Sequence, residues 1–368
     1  MDQRDSDLKS LIDGITALTE DLKPVEHIGR YNRLHGRRQK LIFALLNHES
    51  SEAGLTQLLN HEDAALRGIG SFAQGLFEAK GTAAAESRPA RRKLFPFEPL
   101  PPKCSRAQAE TLIRNALSGE RGNSIVALLR PSIRPWPRQS SNNPRASRFG
   151  GMPAVPSGWS WPREAEEPFL FLAQIDCAQI RATVGASKLP ESGMLAFFGD
   201  HDDVTGCSPM GGGKVYYFPD TARLRLAALP MDDFEPLITC DIDFYSHFEL
   251  PDPKSRPIAA LELLKKEREI YMRLHNSLAM FGYSEPGWTT DISKLLGWPD
   301  LVQCDLGDDM FSSRNPEAGA SLLFQIGAYR DGIDREGWGP GALLYFTLNW
   351  ADLAARRFGN AELEVQST

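Results

Sequence analysis

The sequence predicts an α+β protein in which an all-α N-terminal domain precedes a duplicated, mainly antiparallel β domain made of two half-repeats with flanking helices. Three observations predict this class. Leucine and isoleucine recur at helical spacing through the first eighty residues. From about Asn123 onward, short runs rich in Phe, Tyr, Val and Ile alternate with Gly, Pro and Asp. Three of the strand-like motifs also return, in the same order, later in the chain.

Composition and charge narrow the classes of function. The 368 residues are 42% apolar and 24% charged, as expected of a folded protein with room for more than one domain. The net charge of −7 argues against a general nucleic-acid binder, which needs a basic face. No apolar run is long enough to cross a membrane, and the acidic, amphipathic start differs from a secretory signal. We therefore expect neither nucleic acid nor a membrane as partner.

The five cysteines are scattered, odd in number and without a C-x-x-C pair. This spacing indicates neither a disulfide framework nor a zinc site. A reducing cytoplasm is the simplest location for such a chain. We expect no metal and no cofactor.

Residues 1–78 are predicted to form the helical domain. Its three apolar stripes are Leu8, Leu11, Ile12, Ile15, Leu18 and Leu22; then Leu41, Ile42, Leu45 and Leu46; then Leu55, Leu58, Leu59, Leu66, Ile69, Phe72, Ala73 and Leu76. Residues 55–77 resemble one unit of a HEAT-like repeat, in which an Asp after a short turn caps a helix with a leucine-arginine pair. An isolated helical hairpin gives the same pattern by chance.

Residues 79–104 read as a linker, because they have no period, several prolines and a small basic cluster. The second domain is predicted over residues 105–368. It begins with a helix for which Ser105 is the N-cap and Gln108 completes a capping box.

The second domain alternates buried strands with turns. The runs that predict strands are PFLFLAQID, GMLAFF, KVYYF, SLLFQIG and ALLYFTL. Between them, residues 256–282 read as one long amphipathic helix, with Pro257 in the first turn and Gly282 at the stop.

Three motifs in the first part of this strand-rich region recur in its second part. SRFGGMP, from Ser147, matches SKLLGWP, from Ser293; FLAQI matches LLFQI; GMLAFF matches GALLYF. The matched segments lie 146 to 151 residues apart and follow in the same order. Two half-repeats related by a pseudo-two-fold axis, with facing sheets that bury a shared core, explain this pattern.

Six ordered motifs, SRFGGMPAVPSGWSWP, FLAQID, LPESGMLAFF, KLLGWPDLVQ, LLFQIG and GWGPGALLYF, resemble the YwqG-like family of bacterial proteins, a domain of unknown function. The resemblance covers roughly residues 123–352 and implies an α+β fold with internal duplication. It implies no established reaction. One departure stands out: the family usually has Asp after the late Trp-Gly, whereas this chain reads Trp338-Gly339-Pro340.

Gln174 and Gln325 occupy the same place in the two half-repeats, each inside an apolar strand. A buried amide needs partners for both its carbonyl and its NH₂ group. In one interpretation, each amide caps backbone groups of a neighbouring loop. In the other, both amides line a groove between the half-repeats and grip a ligand, together with Asp176.

The tryptophans gather around the repeated motifs, and Trp159, Trp161, Trp298 and Trp338 are the candidates for that groove. Trp159 and Trp161 lie two residues apart in a proline-framed loop, and we expect them to point in opposite directions if the loop is extended. Trp161 is expected in the core, and Trp159 either in the core or in contact with a partner.

The loop GDHDDVTGCSPMGGGK is the best candidate for chemistry. It is not a P-loop, because Ser208 stands where the first glycine is required and Val215 follows Lys214. Its acidic residues lack EF-hand spacing, so a solvated hairpin tip explains them as well as a metal does. A nucleophilic Cys207 activated by His201, with Asp202 or Asp241 orienting the base, is conceivable, but nothing in the spacing fixes that geometry.

These observations favour a non-catalytic module that binds another protein. Its acidity suits an immunity or toxin-neutralising role toward a basic partner. The alternative is a hydrolase or transferase that uses the Asp200-His201-Cys207 loop.

Overall fold

A computed structural model describes residues 3–22, 38, 41–42, 45, 48, 50–83, 104–138, 141, 143–164, 167–199, 212–232, 234–279, 293–303, 306, 320–327 and 342–366. The chain divides into two compact units, residues 1–95 and 96–368. None of the described helices is both long enough and apolar enough to cross a membrane.

The first unit is helical. Its helices are α1 (Gln3–Leu22), α2 (Ser51–Leu59) and α3 (Ala64–Ala83), so the last helix extends beyond residue 78. Their apolar faces meet in a core of Ile12, Ile15, Ile42, Leu45, Leu55, Leu58, Leu66, Ile69 and Ala73. Asp63 caps α3, since its Oδ1 accepts a hydrogen bond of 2.7 Å from the Ala65 N–H.

The second unit opens with two helices, α4 (Arg106–Ala116) and α5 (Gly119–Ala127). The capping box predicted at Ser105 and Gln108 is confirmed. The remaining helices are α6 (Cys177–Ile180), α7 (Arg256–Ala259), α8 (Lys265–Ala279) and α9 (Trp350–Ala354), with short 3₁₀ turns at Ala186–Lys188 and Phe358–Asn360.

Its strands are β1 (Arg130–Arg138), β2 (Arg148–Phe149), β3 (Ala154–Val155), β4 (Arg163–Glu164), β5 (Glu167–Pro168), β6 (Leu170–Asp176), β7 (Met194–Gly199), β8 (Gly213–Phe218), β9 (Arg225–Leu226), β10 (Cys240–Glu249), β11 (Lys294–Leu296), β12 (Ala320–Gly327), β13 (Leu343–Asn349) and β14 (Glu362–Gln366). Each of the five apolar runs predicted as strands forms one: β6, β7, β8, β12 and β13.

Ten strands form one sheet in the order β14-β13-β12-β11-β1-β10-β2-β6-β7-β8. All of its pairings are antiparallel, which confirms the mainly antiparallel β domain. The long strands β1 and β10 pair with each other at the centre of the sheet. We call β10, β2, β6, β7 and β8 the first half, and β1 with β11 to β14 the second half.

One face of this sheet encloses the main core of the unit. Phe149 and Phe197 of the first half contact Phe324 of the second, with ring centroids 6.1 Å and 4.8 Å apart. The two edge strands also approach each other, because a Cβ placed on Gly213 in β8 would lie 2.4 Å from Leu363 Cβ in β14. The sheet therefore curls until its halves face each other across a shared apolar interior.

Other elements cover the opposite face. Helices α4, α5 and α8 pack over β10 with their own apolar cluster. Over β6 to β8 lies a cluster that includes Trp159 and Trp161, and over β12 and β13 lies a smaller one that includes Val302 and Leu306.

The single helix predicted over residues 256–282 is wrong, because the chain forms α7 and α8 with a break between them. Glu262 has a φ of 47°, a left-handed conformation that ends the helical path. Leu263 is buried there, and the Glu267 carboxylate accepts a hydrogen bond of 2.8 Å from the Leu264 N–H, which caps the start of α8. Residues 280–282 lie outside the described residues.

Candidate functional site

Gln174 and Gln325 are fully buried, and their side-chain amides bond to groups of neighbouring segments. Gln174 Oε1 accepts from the Ala154 N–H at 2.8 Å, and its Nε2 donates to the Ala146 carbonyl at 2.7 Å. Gln325 Oε1 accepts from the Asp300 N–H at 2.9 Å, and its Nε2 donates to the carboxylate of the same residue at 2.8 Å. Both side chains are 0% exposed, so they do not line an open groove. They hold the loops that follow β2 and β11.

Asp176 also has a local role. Its Oδ1 accepts a hydrogen bond of 3.0 Å from the Ala178 N–H and so caps the short helix α6. Its own N–H donates to Ser147 Oγ at 2.8 Å. Burial raises the pKa of the carboxyl group, and the bond from Ala178 opposes that shift.

Trp159 and Trp161 lie on the same side of the sheet, which corrects the expectation that they point in opposite directions. Their ring centroids are 5.9 Å apart, and both rings contact Phe198. Side chains two residues apart in an extended chain point to the same side, so the spacing of these two residues did not support that expectation. Trp161 Nε1 donates to the Phe169 carbonyl at 2.8 Å, whereas Trp159 Nε1 is buried without a hydrogen-bond partner.

Trp298 is held elsewhere, beside the start of β1. Its backbone N–H donates to Glu249 Oε1 at 2.8 Å, and its indole Nε1 donates to the Leu128 carbonyl at 2.7 Å. The structure therefore does not bring Trp298 together with Trp159 and Trp161. Trp338 lies outside the described residues, as do Pro340 and the proposed reactive loop with Asp200, His201 and Cys207.

A different set of residues from both halves forms a cleft. The described residues lining this inter-half cleft are Arg130, Pro131, Gly185, Lys188, Leu296, Gly297, Leu322 and Trp350. Gly185 and Lys188 follow β6 in the first half, whereas Leu296, Leu322 and Trp350 belong to the second. Leu296 and Gly297 both have positive φ, 59° and 78°, and turn the chain sharply after β11.

Two stacked cations dominate the cleft. The Arg130 guanidinium carbon lies 3.3 Å from the ring centroid of Trp298. Lys188 Nζ lies 4.1 Å from the ring centroid of Trp350, whose side chain is 39% exposed. Each cation thus has an indole as its neighbour, a contact that stabilises the positive charge modestly.

No carboxylate neutralises these cations among the described residues that line the cleft. Burial lowers the pKa of Arg130. Burial lowers the pKa of Lys188 too, and the positive charge of Arg130 lowers it further. The two groups are therefore close enough to repel each other, and the cleft is a positive site on a negatively charged protein.

Glu249 would be the natural partner of Arg130, since the two residues pair across β1 and β10. Its carboxylate instead lies 3.3 Å from both Arg134 and Lys294, and Lys294 lies 2.9 Å from Asp300. These four side chains are at most 12% exposed, so the network is buried. Gly297 lies against it, because a Cβ there would be 2.1 Å from Glu249 Oε1. The network and the cleft therefore share one wall.

Two of the described thiols, Cys104 and Cys177, are poor nucleophiles. Burial raises the pKa of Cys177 to about 12, and burial also raises that of Cys104. Among the described residues, no three His, Cys, Asp or Glu side chains come together as metal ligands. What the cleft offers is a fixed pair of cations, which can bind an anion.

Sequence reasoning missed Arg130, Lys188 and Trp350. They lie on three distant segments, and no local motif joins them. One weak signal was present: Arg130 follows the apolar run at the end of α5 and is the first residue of β1, in a part of the chain with few acidic residues.

Comparison with curated proteins gave no match. A family profile described as Domain of unknown function (DUF1963) matches residues 147–366, which include every strand of the large sheet except β1. This match covers more than half of the chain. The chain therefore belongs to the DUF1963 family, a domain of unknown function.

Proposed function

We propose that this protein is a non-catalytic module that binds another protein through the inter-half cleft. The observation that carries the proposal is the convergence of an exposed indole, Trp350, with two cations, Arg130 and Lys188, where the two halves meet. Trp and Arg are the residue types that most often dominate binding energy at protein interfaces. The curled sheet provides a rigid support for them.

We further propose that the sheet consists of two copies of one ancestral unit. Strand register supports this: Arg148 pairs with Gln174 in the first half, and Lys294 pairs with Gln325 in the second. β6 and β12 also have a register shift at matching positions. In β6 the shift lies between Phe171 and Ala173, and in β12 it lies between Leu322 and Phe324.

Hydrogen bonds support the same relationship. Ser147 Oγ accepts from the Asp176 N–H, and Ser293 Oγ accepts from the Gly327 N–H. Gly151 and Gly297 both have positive φ after the short strand. In this proposal, β1 and β10 are equivalent strands. β1, from the first copy, pairs with β11 of the second copy, and β10, which follows the strands of the first copy, pairs with β2. The cleft then lies beside the place where β1 and β10 pair.

The resemblance to the YwqG-like family, and with it a bacterial origin, remains part of this proposal. A reducing cytoplasm fits it as well, because Cys104, Cys177 and Cys240 are free thiols.

A toxin-neutralising role toward a basic partner would need an acidic contact surface. The cleft is basic, so its charge does not support that version of the proposal. The hydrolase or transferase alternative rests on a loop outside the described residues. It would be favoured if His201→Ala and Cys207→Ala abolished the cellular phenotype and Trp350→Ala did not.

Affinity capture from an extract of the native host tests the binding proposal. The full chain, Trp350→Ala and Met272→Ala serve as baits. Met272 is the matched control because it is also a large exposed apolar side chain, 49% exposed, on α8. We expect a protein that the full chain and Met272→Ala retain and that Trp350→Ala loses by on the order of tenfold.

Equal capture by all three baits would contradict the proposal. A Trp159→Ala bait distinguishes the inter-half cleft, which contains Trp350, from the cluster over β6 to β8, which contains Trp159. Loss with Trp159→Ala and retention with Trp350→Ala would move the contact to the cluster over β6 to β8.

A further inference from the structure

We infer that the inter-half cleft receives a side-chain carboxylate from an acidic segment of the partner, held between Arg130 and Lys188. This inference rests on the proposed binding function and adds the chemical class of the ligand.

Arg130 is set up to donate hydrogen bonds. Its guanidinium lies flat enough on Trp298 to bring the central carbon to 3.3 Å from the ring centroid. The N–H donors of a guanidinium lie in its own plane, so stacking leaves them available for a carboxylate. Trp298 is itself fixed by hydrogen bonds to Leu128 and Glu249, so the stack is a rigid platform.

Lys188 provides the second charge from the opposite half. Its ammonium lies beside Trp350, at the end of the 3₁₀ turn Ala186–Lys188. Glu249 pairs with Arg130 across β1 and β10, but its carboxylate forms ion pairs with Arg134 and Lys294. None of the described residues that line the cleft offsets the repulsion between Arg130 and Lys188, and a bound anion would relieve it.

The size of the cleft favours one small group. Its cavity volume is about 30 Å³, room for about two water-sized groups, since one such group needs about 10–15 Å³ by this measure. The end of a glutamate or aspartate side chain is closer to this size than a whole cofactor or nucleotide. The rest of the segment would then lie outside the cleft, where the exposed part of Trp350 supplies an apolar contact.

Calorimetric titration of the full chain with hexaglutamate, blocked at both ends, tests this inference. Hexaglutamine and inorganic phosphate are the comparison ligands. We expect hexaglutamate to bind and hexaglutamine not to bind. Lys188→Gln should weaken hexaglutamate binding by about three- to fivefold, the usual effect of one partly exposed ion pair.

Lys266→Gln is the matched control. Lys266 is exposed on α8 and away from the cleft lining, and its replacement removes the same charge from the whole protein. Arg130→Lys keeps the charge but loses the planar donors, so it should also weaken binding. Lys188 is exposed, so Lys188→Gln folds normally and the test does not depend on the Arg130 variant.

Absence of hexaglutamate binding, or equal weakening by Lys188→Gln and Lys266→Gln, would overturn the inference. Tighter binding of phosphate than of hexaglutamate would replace the carboxylate by a phosphate group and overturn it as well. Neither result decides the binding function, since capture that depends on Trp350 would survive them.

Discussion

At the scale of single residues, the two halves of the sheet neutralise their buried cations in different ways. Arg148 lies 3.5 Å from Asp241, which is 0% exposed. In the second half, the strand register places Arg134, a second cation, beside Lys294. Glu249 lies between the two and is needed because an unpaired buried charge costs several kcal/mol. The buried network thus places one carboxylate, that of Glu249, between two cations.

His247 lies next to this network. Its ring is 0% exposed, and Nε2 donates to the Leu278 carbonyl at 2.8 Å, at the end of α8. Burial lowers its pKa well below 6.5, and the charges of Arg134 and Lys294 lower it further. The folded protein therefore keeps this imidazole neutral.

We predict that the free energy of unfolding falls as the pH drops below about 6.5, because the unfolded chain then binds a proton that folded His247 does not. The slope from this group approaches about 1.4 kcal/mol per pH unit. His247→Gln keeps a donor for the Leu278 carbonyl but cannot titrate. Urea unfolding between pH 7 and pH 5 should therefore show a steeper loss for the unchanged protein than for the variant, and parallel curves would refute this origin of the pH dependence.

At the scale of elements, the two central strands carry a pattern that sequence reasoning did not find. β1 contains Pro131, Pro135 and Pro137, and proline in a central strand removes a hydrogen-bond donor. All three prolines have the same parity. Backbone N–H groups along a strand point alternately to its two neighbours, so the residues between these prolines donate to β10. The positions of the prolines are directed to the β11 side, where pairing with β1 covers only Ser132 and Ile133 and few donors are needed.

Parity gives a direct test. Ser132→Pro would place a proline among the residues that donate to β10, so we expect at least about 3 kcal/mol of destabilisation. Ser132→Ala should change stability little, because the buried Ser132 hydroxyl has no hydrogen-bond partner. Pro135→Ala should cost no more than about 1 kcal/mol. Chemical denaturation followed by circular dichroism measures all three, and a tolerated Ser132→Pro would contradict the assigned register.

The same contrast explains how much the sequence could predict. The outer strands β6, β7, β12 and β13 have apolar residues on both faces, so their runs are unbroken and were identified. β1 and β10 carry charged side chains on the face that the helices cover, and they contain prolines or other polar residues elsewhere. Their sequences therefore resemble those of loops. The cleft was missed for a related reason, since Arg130, Lys188 and Trp350 meet only through the curl of the sheet.

At the scale of the whole second unit, the shared core makes the two halves depend on each other. Phe324 is 0% exposed and contacts Phe149 and Phe197 of the other half. Neither half can bury its inner face alone, so the sheet is expected to unfold as one cooperative unit. All seven tryptophans lie between residues 136 and 350, so their fluorescence reports on this unit alone.

We predict that Phe324→Ala lowers the free energy of unfolding by about 3–5 kcal/mol, the usual cost of truncating a buried phenylalanine. Because the core is shared, hydrogen exchange should quicken in β7 as well as in β13, although only β13 pairs directly with the strand that carries the substitution. Met272→Ala, an exposed change on α8, should leave both strands protected. Faster exchange confined to β11–β14, or a second fluorescence transition, would show that the halves unfold separately and that the cleft between them is not a fixed site.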